Sequence, residues 1–248
     1  MKRFPRRLIF SLKDWPTNVD ERRVYVDPIF TQIARRYDLM GQLFSFGQGQ
    51  LWKKKSVELM RGKITAKILD LASGTGDFVV QLRTAGFQAP IIALDRNHAM
   101  LNVAREKCAN LSRVSFVQGD LMQLPFKPQS VDAITMGYGL RYPADVRWIL
   151  AEVFRLLRSG GRFVAMDFGL PRNRFYRKIC FGYLLCVGSL LGLLLHRKVS
   201  TYWHIVESLK AYPGQNVVCR WLEEVGFNGI QVREVLGGII AIHFGTRP

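Results

Sequence analysis

The chain has 248 residues, of which 48% are hydrophobic, so it is long enough to bury a sizeable core in one large domain. Lysine and arginine number 36 against 19 aspartate and glutamate, and the formal net charge of +17 indicates an anionic partner, either phospholipid or nucleic acid. The four cysteines form no CxxC pair and have no histidine at metal-ligand spacing, which argues against a zinc site or a disulfide framework. We therefore expect free thiols, a reducing compartment and no metal.

The N-terminal segment is basic, with Lys2, Arg3, Arg6 and Arg7, but its apolar run is too short for the core of a signal peptide. We expect residues 1–23 to form a basic N-terminal arm and residues 24–248 to form the single domain. Within that domain, residues 24–60 have apolar residues at helical spacing, interrupted by a glycine-containing break at 45–50. This pattern predicts a helical cap placed before the core.

From residue 67 onward, short apolar runs rich in β-branched residues alternate with helical patterns, as in βα units that build a parallel sheet. The predicted helices are Asp77–Ala85, His98–Ala109 and Ala144–Leu157. The predicted strands are Lys67–Leu71, Pro90–Leu94, Val114–Gln118, Val131–Met136 and Arg162–Asp167.

Two later runs, Gly229–Val235 and Gly238–Phe244, are joined only by a short turn at Leu236 and Gly237, so we expect them to pair as an antiparallel hairpin. The sequence therefore predicts an α/β fold whose mostly parallel seven-stranded sheet ends in an antiparallel hairpin.

A glycine loop follows the first predicted strand. The strand ends at Asp70 and Leu71, and Gly74-Thr75-Gly76 follow just as a helix begins. Glycines let the backbone approach a ligand, and the start of the helix offers unpaired N–H groups, so the loop predicts a nucleotide-like or amino-acid-bearing cofactor. The loop lacks the full G-x-G-x-x-G spacing, which disfavours a nicotinamide dinucleotide.

Two further acids follow the next strands. Asp95 ends the second strand, where a carboxylate can accept hydrogen bonds from both ribose hydroxyls, and Asp120 follows the third strand, where it could meet the exocyclic amine of an adenine. Either acid alone is more often a surface or capping residue. With Asp70, they place three acids at successive carboxyl-terminal strand ends, the edge at which open α/β sheets bind ligands.

The stretch from Ile179 to Leu195 has 17 residues without a charge, at the lower limit of what spans a bilayer, and cations flank it on both sides. Its three glycines, Gly182, Gly188 and Gly192, weaken it as an isolated helix in water. Three interpretations stay open: a helix buried in the domain or under a partner, a helix on the membrane surface, or a true span.

These motifs together resemble the UbiE/MenG-type family of quinone C-methyltransferases, and the resemblance runs from about Tyr25 to the C-terminus. Family-specific stretches before the core and near the C-terminus make it closer than a likeness of fold alone. The segments that carry it are Asp70–Asp77, Asp95, Leu124–Phe126, Gly139–Arg141, Leu156–Arg162, Ile33–Met40, Ser45–Gly47, Leu51–Lys53, Glu207–Ser208, Pro213–Gln215 and Gly237–His243.

The resemblance implies a Rossmann-like class I methyltransferase that uses S-adenosylmethionine as its cofactor. It places Gly74, Thr75 and Gly76 against the methionine part, Asp95 against the ribose, and Asp120 with Leu121 against the adenine edge. The other residues that we assign to the cofactor are Asp70, Ala72, Arg96 and Gly137.

The resemblance also implies a polyprenyl quinol as the substrate. Arg141 and Tyr142 are the catalytic candidates, Gly139–Arg141 is expected to separate the cofactor from the acceptor, and residues 172–212 are expected to cover the substrate and to face the membrane. Arg141 could stabilise the phenolate that forms when the ring hydroxyl loses its proton. The candidates for contact with the acceptor are Tyr37, Arg141, Tyr202 and His204; for each aromatic residue, simple packing is the competing interpretation.

The chain departs from the family at this wall. The family usually reads Ser-Phe-Gly-Leu-Arg-Asn, whereas Gly137 and Tyr142 stand here in place of the serine and the asparagine. In the family the Arg-Asn pair helps to polarise the ring hydroxyl of the acceptor. The departure therefore leaves the identity of the acceptor open.

Two alternative functions follow from the same observations. The chain could methylate another acceptor, such as a phospholipid amine or an RNA base, or it could be a non-catalytic scaffold of a quinone-synthesis complex. Without an appended RNA-binding module or stacking aromatics among the basic residues, we do not expect a nucleic-acid partner. We expect a cytoplasmic enzyme that binds peripherally to an anionic membrane; a homodimer, a naphthoquinol or benzoquinol ring and the tail length stay open.

Overall fold

The computed structural model describes residues 15–62 and 64–248, so the basic residues Lys2, Arg3, Arg6 and Arg7 lie outside the described part of the chain. A seven-stranded sheet forms the centre, in the order β3-β2-β1-β4-β5-β7-β6. Its strands are β1 (Ile68–Leu71), β2 (Ile91–Asp95), β3 (Val114–Gln118), β4 (Val131–Gly137), β5 (Leu157–Phe168), β6 (Asn228–Val235) and β7 (Ile240–Thr246).

The predicted topology is confirmed. Strands β1 to β5 pair in parallel, whereas β7 runs antiparallel to both β5 and β6. The second strand of the hairpin, β7, lies between β5 and β6, and β6 forms the edge of the sheet. Residues 240–243 of β7 are therefore buried, whereas the residues of β6 are exposed or half-buried. Strand β5 begins five residues before the predicted Arg162, at Leu157, and its pairing with β4 shifts register across the inserted residues.

Helices surround the sheet. The helices predicted at Asp77–Ala85, His98–Ala109 and Ala144–Leu157 are all present, and each of their ends lies within two residues of the prediction. The helices in the described residues are α1 (Val19–Ile33), α2 (Tyr37–Phe44), α3 (Gly49–Glu58), α4 (Asp77–Thr84), α5 (His98–Lys107), α6 (Val146–Leu156), α7 (Arg174–His196), α8 (His204–Ala211) and α9 (Gln215–Val225), with short 3-10 turns at 34–36, 199–202 and 236–238.

The helical cap before the core is present as α1 to α3, with the predicted break between α2 and α3. The predicted boundary of the N-terminal arm at residue 23 was wrong, because it falls inside α1. Asn18 caps that helix by accepting hydrogen bonds from the N–H groups of Asp20 and Glu21, a strong start signal. Trp15 is buried and packs edge-on against Tyr25, with ring centroids 5.8 Å apart, so the fold already includes residue 15.

Within the described residues, α7 is the one helix whose length and apolar composition would allow it to cross a membrane. Only 28% of its most apolar 18-residue window is buried, so it is not a core helix. One face packs on the fold through Leu184, Gly188 and Leu191. A Cβ at Gly188 would lie 3.3 Å from the Cβ of Tyr202, so this glycine permits close packing. Its other face lies open.

Candidate active site

The glycine loop connects β1 to α4 at the carboxyl-terminal edge of the sheet. Ala72, Gly74 and Gly76 all have left-handed backbone conformations, with φ values of +50°, +52° and +80°. A Cβ at Gly74 would meet no atom within 4 Å, so the backbone there faces open space. The loop therefore presents bare main chain to a ligand.

Asp95, at the end of β2, holds this loop in place. Its Oδ2 accepts a hydrogen bond from the Gly74 N–H and its Oδ1 from the Asn97 N–H, each at 2.8 Å. Burial raises the pKa of Asp95, although these two N–H groups act in the opposite direction. Each carboxylate oxygen keeps a further lone pair, so the group can still accept hydrogen bonds from ribose hydroxyls.

A cavity at this edge, here called the rim cavity, brings most of the predicted cofactor residues together. Asp120 faces it with one oxygen accepting the Met122 N–H at 2.8 Å. The predicted residues that line the rim cavity are Ala72, Gly74, Asp95, Arg96, Asp120, Leu121 and Gly137.

Three predicted cofactor residues, Asp70, Thr75 and Gly76, lie behind the loop instead of lining the rim cavity. The Thr75 hydroxyl donates to Asp38 at 2.6 Å. A Cβ at Gly76 would lie 3.2 Å from the Ala104 side chain, so this glycine lets α5 pack close. Among the described residues, Asp70 Oδ2 has no hydrogen-bond partner, and burial raises the pKa of Asp70 to about 7.

Helix α1 covers the rim cavity, and the sequence reasoning missed its part in the site. Arg23 forms a 2.8 Å ion pair with Asp120, and Asp27 pairs with Arg96. Arg22 donates to the backbone carbonyl of Pro143. A signal existed in the sequence, since Arg23 and Asp27 are four residues apart and so share one face of a helix.

A second cavity, of about 350 Å³ and here called the apolar cavity, lies beside the first, and its volume falls within the range of small-molecule sites. Its walls are mostly apolar and aromatic, and they come from α2, α3, α7, α8 and the end of β5. Four residues line both cavities and thus form the wall between them: Phe30, Tyr37, Tyr138 and Tyr142.

The close packing of this wall explains the departure at Gly137. A Cβ at that position would overlap the ring of Phe78, so a serine fits only if Phe78 moves. A Cβ at Gly139 would lie 2.6 Å from the Ala72 Cβ, which keeps β4 and the glycine loop in close contact.

Arg141 and Asp167 form a buried ion pair at the edge of the apolar cavity. Burial opposes the charge on Arg141, but Asp167 raises its pKa, so the guanidinium stays protonated. Arg141 also donates to the Tyr142 hydroxyl at 2.8 Å. Burial raises the pKa of Tyr142 to about 12, so the hydroxyl keeps its proton and, since it accepts from Arg141, can donate that proton to a third group.

His204 lines the apolar cavity as predicted, and its protonation follows from its contacts. Its Nδ1 lies 3.0 Å from the Thr201 carbonyl oxygen, which can only accept, so Nδ1 carries the hydrogen and Nε2 is an acceptor. Burial, followed by Arg141, lowers the pKa of His204 to about 3. The ring is therefore neutral near pH 7.

Tyr202, predicted to contact the acceptor, does not line the apolar cavity, so the structure does not bring it together with Tyr37, Arg141 and His204. Its side chain is almost fully buried, with its hydroxyl 2.8 Å from His196 Nε2 and its ring edge-on to Phe44. Apolar packing on α7 and α2 therefore determines its position. The indole Nε1–H of its neighbour in sequence, Trp203, donates a 2.9 Å hydrogen bond to the Ser189 hydroxyl on α7 and so also helps to hold that helix in place.

Paired charges border the apolar cavity. Lys107, from α5, binds Asp38 of the helical cap and lies 2.7 Å from Asp77 at the start of α4. Burial alone would raise the pKa of Asp77, but Lys53 and Lys107 lower it to about 2. Asp38 and Asp77 both border the apolar cavity, and both are ion-paired.

Comparison with known proteins identifies this arrangement. The sequence model of the ubiE/COQ5 methyltransferase family matches residues 17–247. The chain belongs to this family. It is 33% identical to the ubiquinone/menaquinone biosynthesis C-methyltransferase UbiE of Marinomonas sp. (strain MWYL1) over 242 residues, which are 96% of each chain. It is 34% identical to the demethylmenaquinone methyltransferase of Clavibacter sepedonicus over 223 residues, 90% of each chain.

Solved structures confirm the class I fold of an S-adenosylmethionine-dependent methyltransferase. A SAM-dependent methyltransferase of Thermotoga maritima superposes with a TM-score of 0.62 at 17% identity, over 90% of this chain and 99% of that one. Phosphoethanolamine N-methyltransferase 2 of Haemonchus contortus, in complex with S-adenosylmethionine, gives a TM-score of 0.67 at 13% identity, over 92% of this chain and 60% of that one. This chain is a SAM-dependent methyltransferase, as predicted.

Proposed function

We propose that this enzyme methylates a ring carbon of a polyprenyl quinol, a demethylmenaquinol or a ubiquinol precursor, in quinone biosynthesis. One observation carries the proposal: an apolar cavity large enough for a ring and the start of a tail adjoins the rim cavity across a wall of four shared aromatic residues. The names of the relatives from Marinomonas and Clavibacter agree with such an acceptor. Because a polyprenyl tail resides in a bilayer, we also propose that the enzyme acts from the cytoplasm at a membrane surface.

The residues of the rim cavity fit S-adenosylmethionine. Gly74 offers open backbone, and Asp95 offers two oxygens with spare lone pairs for the ribose. Asp70 lies behind the loop and has a carboxylate oxygen without a hydrogen-bond partner in the described chain, which would favour the ammonium group of the methionine part. When bound, the cofactor supplies an electrophilic methyl group on a sulfonium sulfur.

The residues of the apolar cavity would activate the acceptor. A ring carbon next to a hydroxyl becomes nucleophilic as the hydroxyl loses its proton and negative charge develops on the oxygen. Tyr142, polarised by Arg141, can donate a hydrogen bond to that oxygen, and hydrogen-bond donors of this kind stabilise developing charge in a dry site. Tyr142 would thus do the work of the asparagine that other family members have at this position. His204 Nε2 can accept a hydrogen bond from a second hydroxyl.

The paired acids argue against a phospholipid amine as the acceptor. A cationic amine needs a free carboxylate or an open aromatic cage, and the two acids at the apolar cavity, Asp38 and Asp77, already bind Lys107 and Lys53. A cation entering this cavity would have to displace a lysine. A neutral ring with an apolar tail needs no such exchange.

Methyl transfer in vitro tests the proposal directly. The purified enzyme is incubated with S-adenosylmethionine and a short-tailed demethylmenaquinol, and product is measured by mass spectrometry. We expect Tyr142→Phe to lower kcat by about 100-fold with little change in KM, as for the loss of one donor to a developing oxyanion. Tyr212→Phe is the matched control, since that hydroxyl is buried away from both cavities with no partner among the described residues. Cofactor binding without turnover in the wild type would instead favour a scaffold.

The quinone profile of cells tests the acceptor. Cells that lack the gene should accumulate a quinone lighter by one methyl group, and the mass of its ring would distinguish a naphthoquinone from a benzoquinone. An unchanged profile would contradict the proposed acceptor.

A further inference from the structure

Helix α7 presents a continuous apolar stripe to solvent. Its members follow one another at spacings of three or four residues, so they lie on one side of the helix. Side chains such as Phe175, Leu190 and Leu193 are more than half exposed, at 74%, 55% and 51%. An apolar surface of this extent marks an interaction site. The stripe consists of Phe175, Ile179, Gly182, Cys186, Leu190 and Leu193.

The stripe is continuous with the mouth of the apolar cavity. Ile179 belongs to both, since it lines the cavity and is 53% exposed. Phe46 also lines the cavity, is 78% exposed, and lies with its ring centroid 6.1 Å from that of Tyr183 on α7. Whatever covers the stripe therefore also covers the cavity entrance. We call the stripe together with Phe46 the docking face.

Cations border the docking face at both ends. Arg174 and Lys178 lie exposed at the start of α7, and Arg197 and Lys198 lie exposed just beyond its end. No acidic residue occurs in the sequence between Asp167 and Glu207. An apolar centre with cationic ends matches the interface of an anionic bilayer, in which apolar side chains meet acyl chains and cations meet headgroups.

The same charges disfavour a second copy of the chain as the occupant. In a symmetric dimer with antiparallel α7 helices, Arg174 and Lys178 of one copy would lie beside Arg197 and Lys198 of the other. With parallel helices, each cationic end would lie beside the same cationic end of the other copy. Either arrangement brings cations together without an acid from α7 to pair them, which costs free energy. A transmembrane position is equally disfavoured, because the opposite face of α7 packs on the fold through Leu184 and Leu191.

We propose that the docking face binds an anionic lipid bilayer with α7 lying in the plane of the membrane, so that the apolar cavity opens directly into the lipid. A tailed acceptor would then enter the cavity with its tail still in the bilayer. That last consequence rests on the proposed function, whereas the binding itself does not depend on any acceptor.

Cys186 offers a probe at the centre of the docking face, since it is the exposed member of the four cysteines, all of which lie in the described ranges. An environment-sensitive fluorophore on Cys186, in a Cys219→Ser background, is titrated with vesicles of phosphatidylcholine containing phosphatidylglycerol and with vesicles of phosphatidylcholine alone. We expect a blue shift with the anionic vesicles that weakens as salt is added. An absent shift with anionic vesicles would overturn the proposal, as would a shift that follows protein concentration without vesicles, which would indicate a dimer.

Paired variants separate the apolar and the cationic parts of the docking face. Leu190→Glu with Leu193→Glu should lower vesicle binding at least about tenfold, whereas Val24→Glu, at an even more exposed apolar residue on α1, should not. Arg197→Gln with Lys198→Gln should lower binding by roughly 30-fold at low salt, since each nearby cation favours the anionic surface. Arg61→Gln with Lys67→Gln, at the amino-terminal edge of the sheet, is the matched control. Equal losses in variant and control would overturn the proposal.

An activity measurement distinguishes this proposal from the proposed function. Leu190→Glu with Leu193→Glu, which lie outside both cavities, should keep methyl transfer to a short-tailed quinol in solution and lose it to a long-tailed quinol in vesicles. If the wild type binds vesicles but methylates neither quinol, the proposed acceptor fails and the docking face stands. If the variant methylates the long-tailed quinol in vesicles as fast as the wild type, the docking face does not deliver the acceptor.

Discussion

The two cavities are built in different ways. Each predicted wall residue of the rim cavity stands at or just after the carboxyl end of a strand: Gly74 after β1, Asp95 at the end of β2, Asp120 after β3 and Gly137 at the end of β4. The walls of the apolar cavity come from segments far apart in sequence, between residues 30 and 53, at residue 77, and between residues 138 and 142, 168 and 184, 204 and 205, and 236 and 240. The strand ends and the loops that follow them form most of the first cavity, under the cover of α1, whereas the second exists only once α2, α3, α7 and α8 have packed together.

The chemistry of the walls differs in the same way. The rim cavity has backbone N–H groups and partly solvated acids, whose interactions with a polar cofactor form locally. The wall surface of the apolar cavity is mostly apolar, its two acids are ion-paired, and its charged Arg141 is buried with Asp167. A buried charge is costly unless paired, so the apolar cavity should respond far more sharply to the loss of one polar partner.

Removal of Asp167 is the most severe test of that difference. Asp167→Ala leaves the Arg141 guanidinium charged in a dry site, and we expect the free energy of unfolding to fall by about 3–5 kcal/mol. Denaturant unfolding of the variant measures the loss. A double variant, Asp167→Leu with Arg141→Met, should recover most of the stability without methyl transfer. A loss below about 1 kcal/mol in Asp167→Ala would mean that water reaches the pair and that the two cavities do not differ in this way.

The rim cavity is tested by comparing two carboxylates that each accept hydrogen bonds from two backbone N–H groups. Asp95 accepts two backbone N–H groups at the carboxyl-terminal edge of the sheet, and Asp132 accepts those of Thr65 and Ala66 at the opposite edge. We expect Asp95→Asn to weaken S-adenosylmethionine binding by about 10- to 100-fold, because hydrogen bonds to a charged group contribute roughly 1.5–3 kcal/mol each. Calorimetric titration measures the affinity. Asp132→Asn should leave it unchanged, and equal losses in both variants would indicate a general effect on the fold.

A third variant tests the wall that the two cavities share. Gly137→Ser restores the residue usual in the family, but its Cβ would overlap the Phe78 ring, and overpacking of this kind costs about 1–3 kcal/mol. The thermal unfolding midpoint should fall accordingly. Adding Phe78→Ala should recover part of the loss by making room. An unchanged midpoint in Gly137→Ser would show that the wall can move, and the separation of the cavities would then be less rigid than the packing indicates.

The contrast explains what could be predicted from the sequence. The glycine loop, Asp95 and Asp120 could be proposed from the sequence because a cofactor edge is encoded by short motifs at strand ends, and the topology followed from the spacing of the strands and the hairpin. The cover over the rim cavity was missed because Arg23 and Asp27 act through pairing with Asp120 and Arg96, which are remote in sequence.

Tyr202 is the opposite case, a residue that we expected beside the acceptor and that the structure places away from the walls of the apolar cavity. It lies next to residues that line the apolar cavity, but a short helical turn at 199–202 directs its side chain against α7 and Phe44 instead. Helical periodicity over so few residues does not tell which of two apolar environments a side chain will enter. The ion pair of Arg141 with Asp167 could not be predicted from the sequence either, because it depends on the packing of the loop after β4 against β5.

The smallest effect that we expect is a pH dependence from the apolar cavity. Burial lowers the pKa of His204 to about 3, from an ordinary value near 6.5. Between these two pH values His204 is protonated in the unfolded chain but neutral in the folded chain. The contribution of neutral His204 to the free energy of unfolding is therefore fully present above about pH 6.5 and is lost as the pH falls from there towards 3. The slope is at most about 1.4 kcal/mol per pH unit.

The free energy of unfolding, measured from pH 7.5 down to 4.5 for the wild type and for His204→Gln, isolates this contribution. Asp70, whose pKa is raised to about 7, and His243, whose pKa is lowered to about 4, titrate in both proteins and cancel in the difference. We expect the wild type to lose stability faster than the variant below pH 6.5. A difference that does not change with pH would mean that His204 is solvated, and the apolar cavity would then be as open to water as the rim cavity.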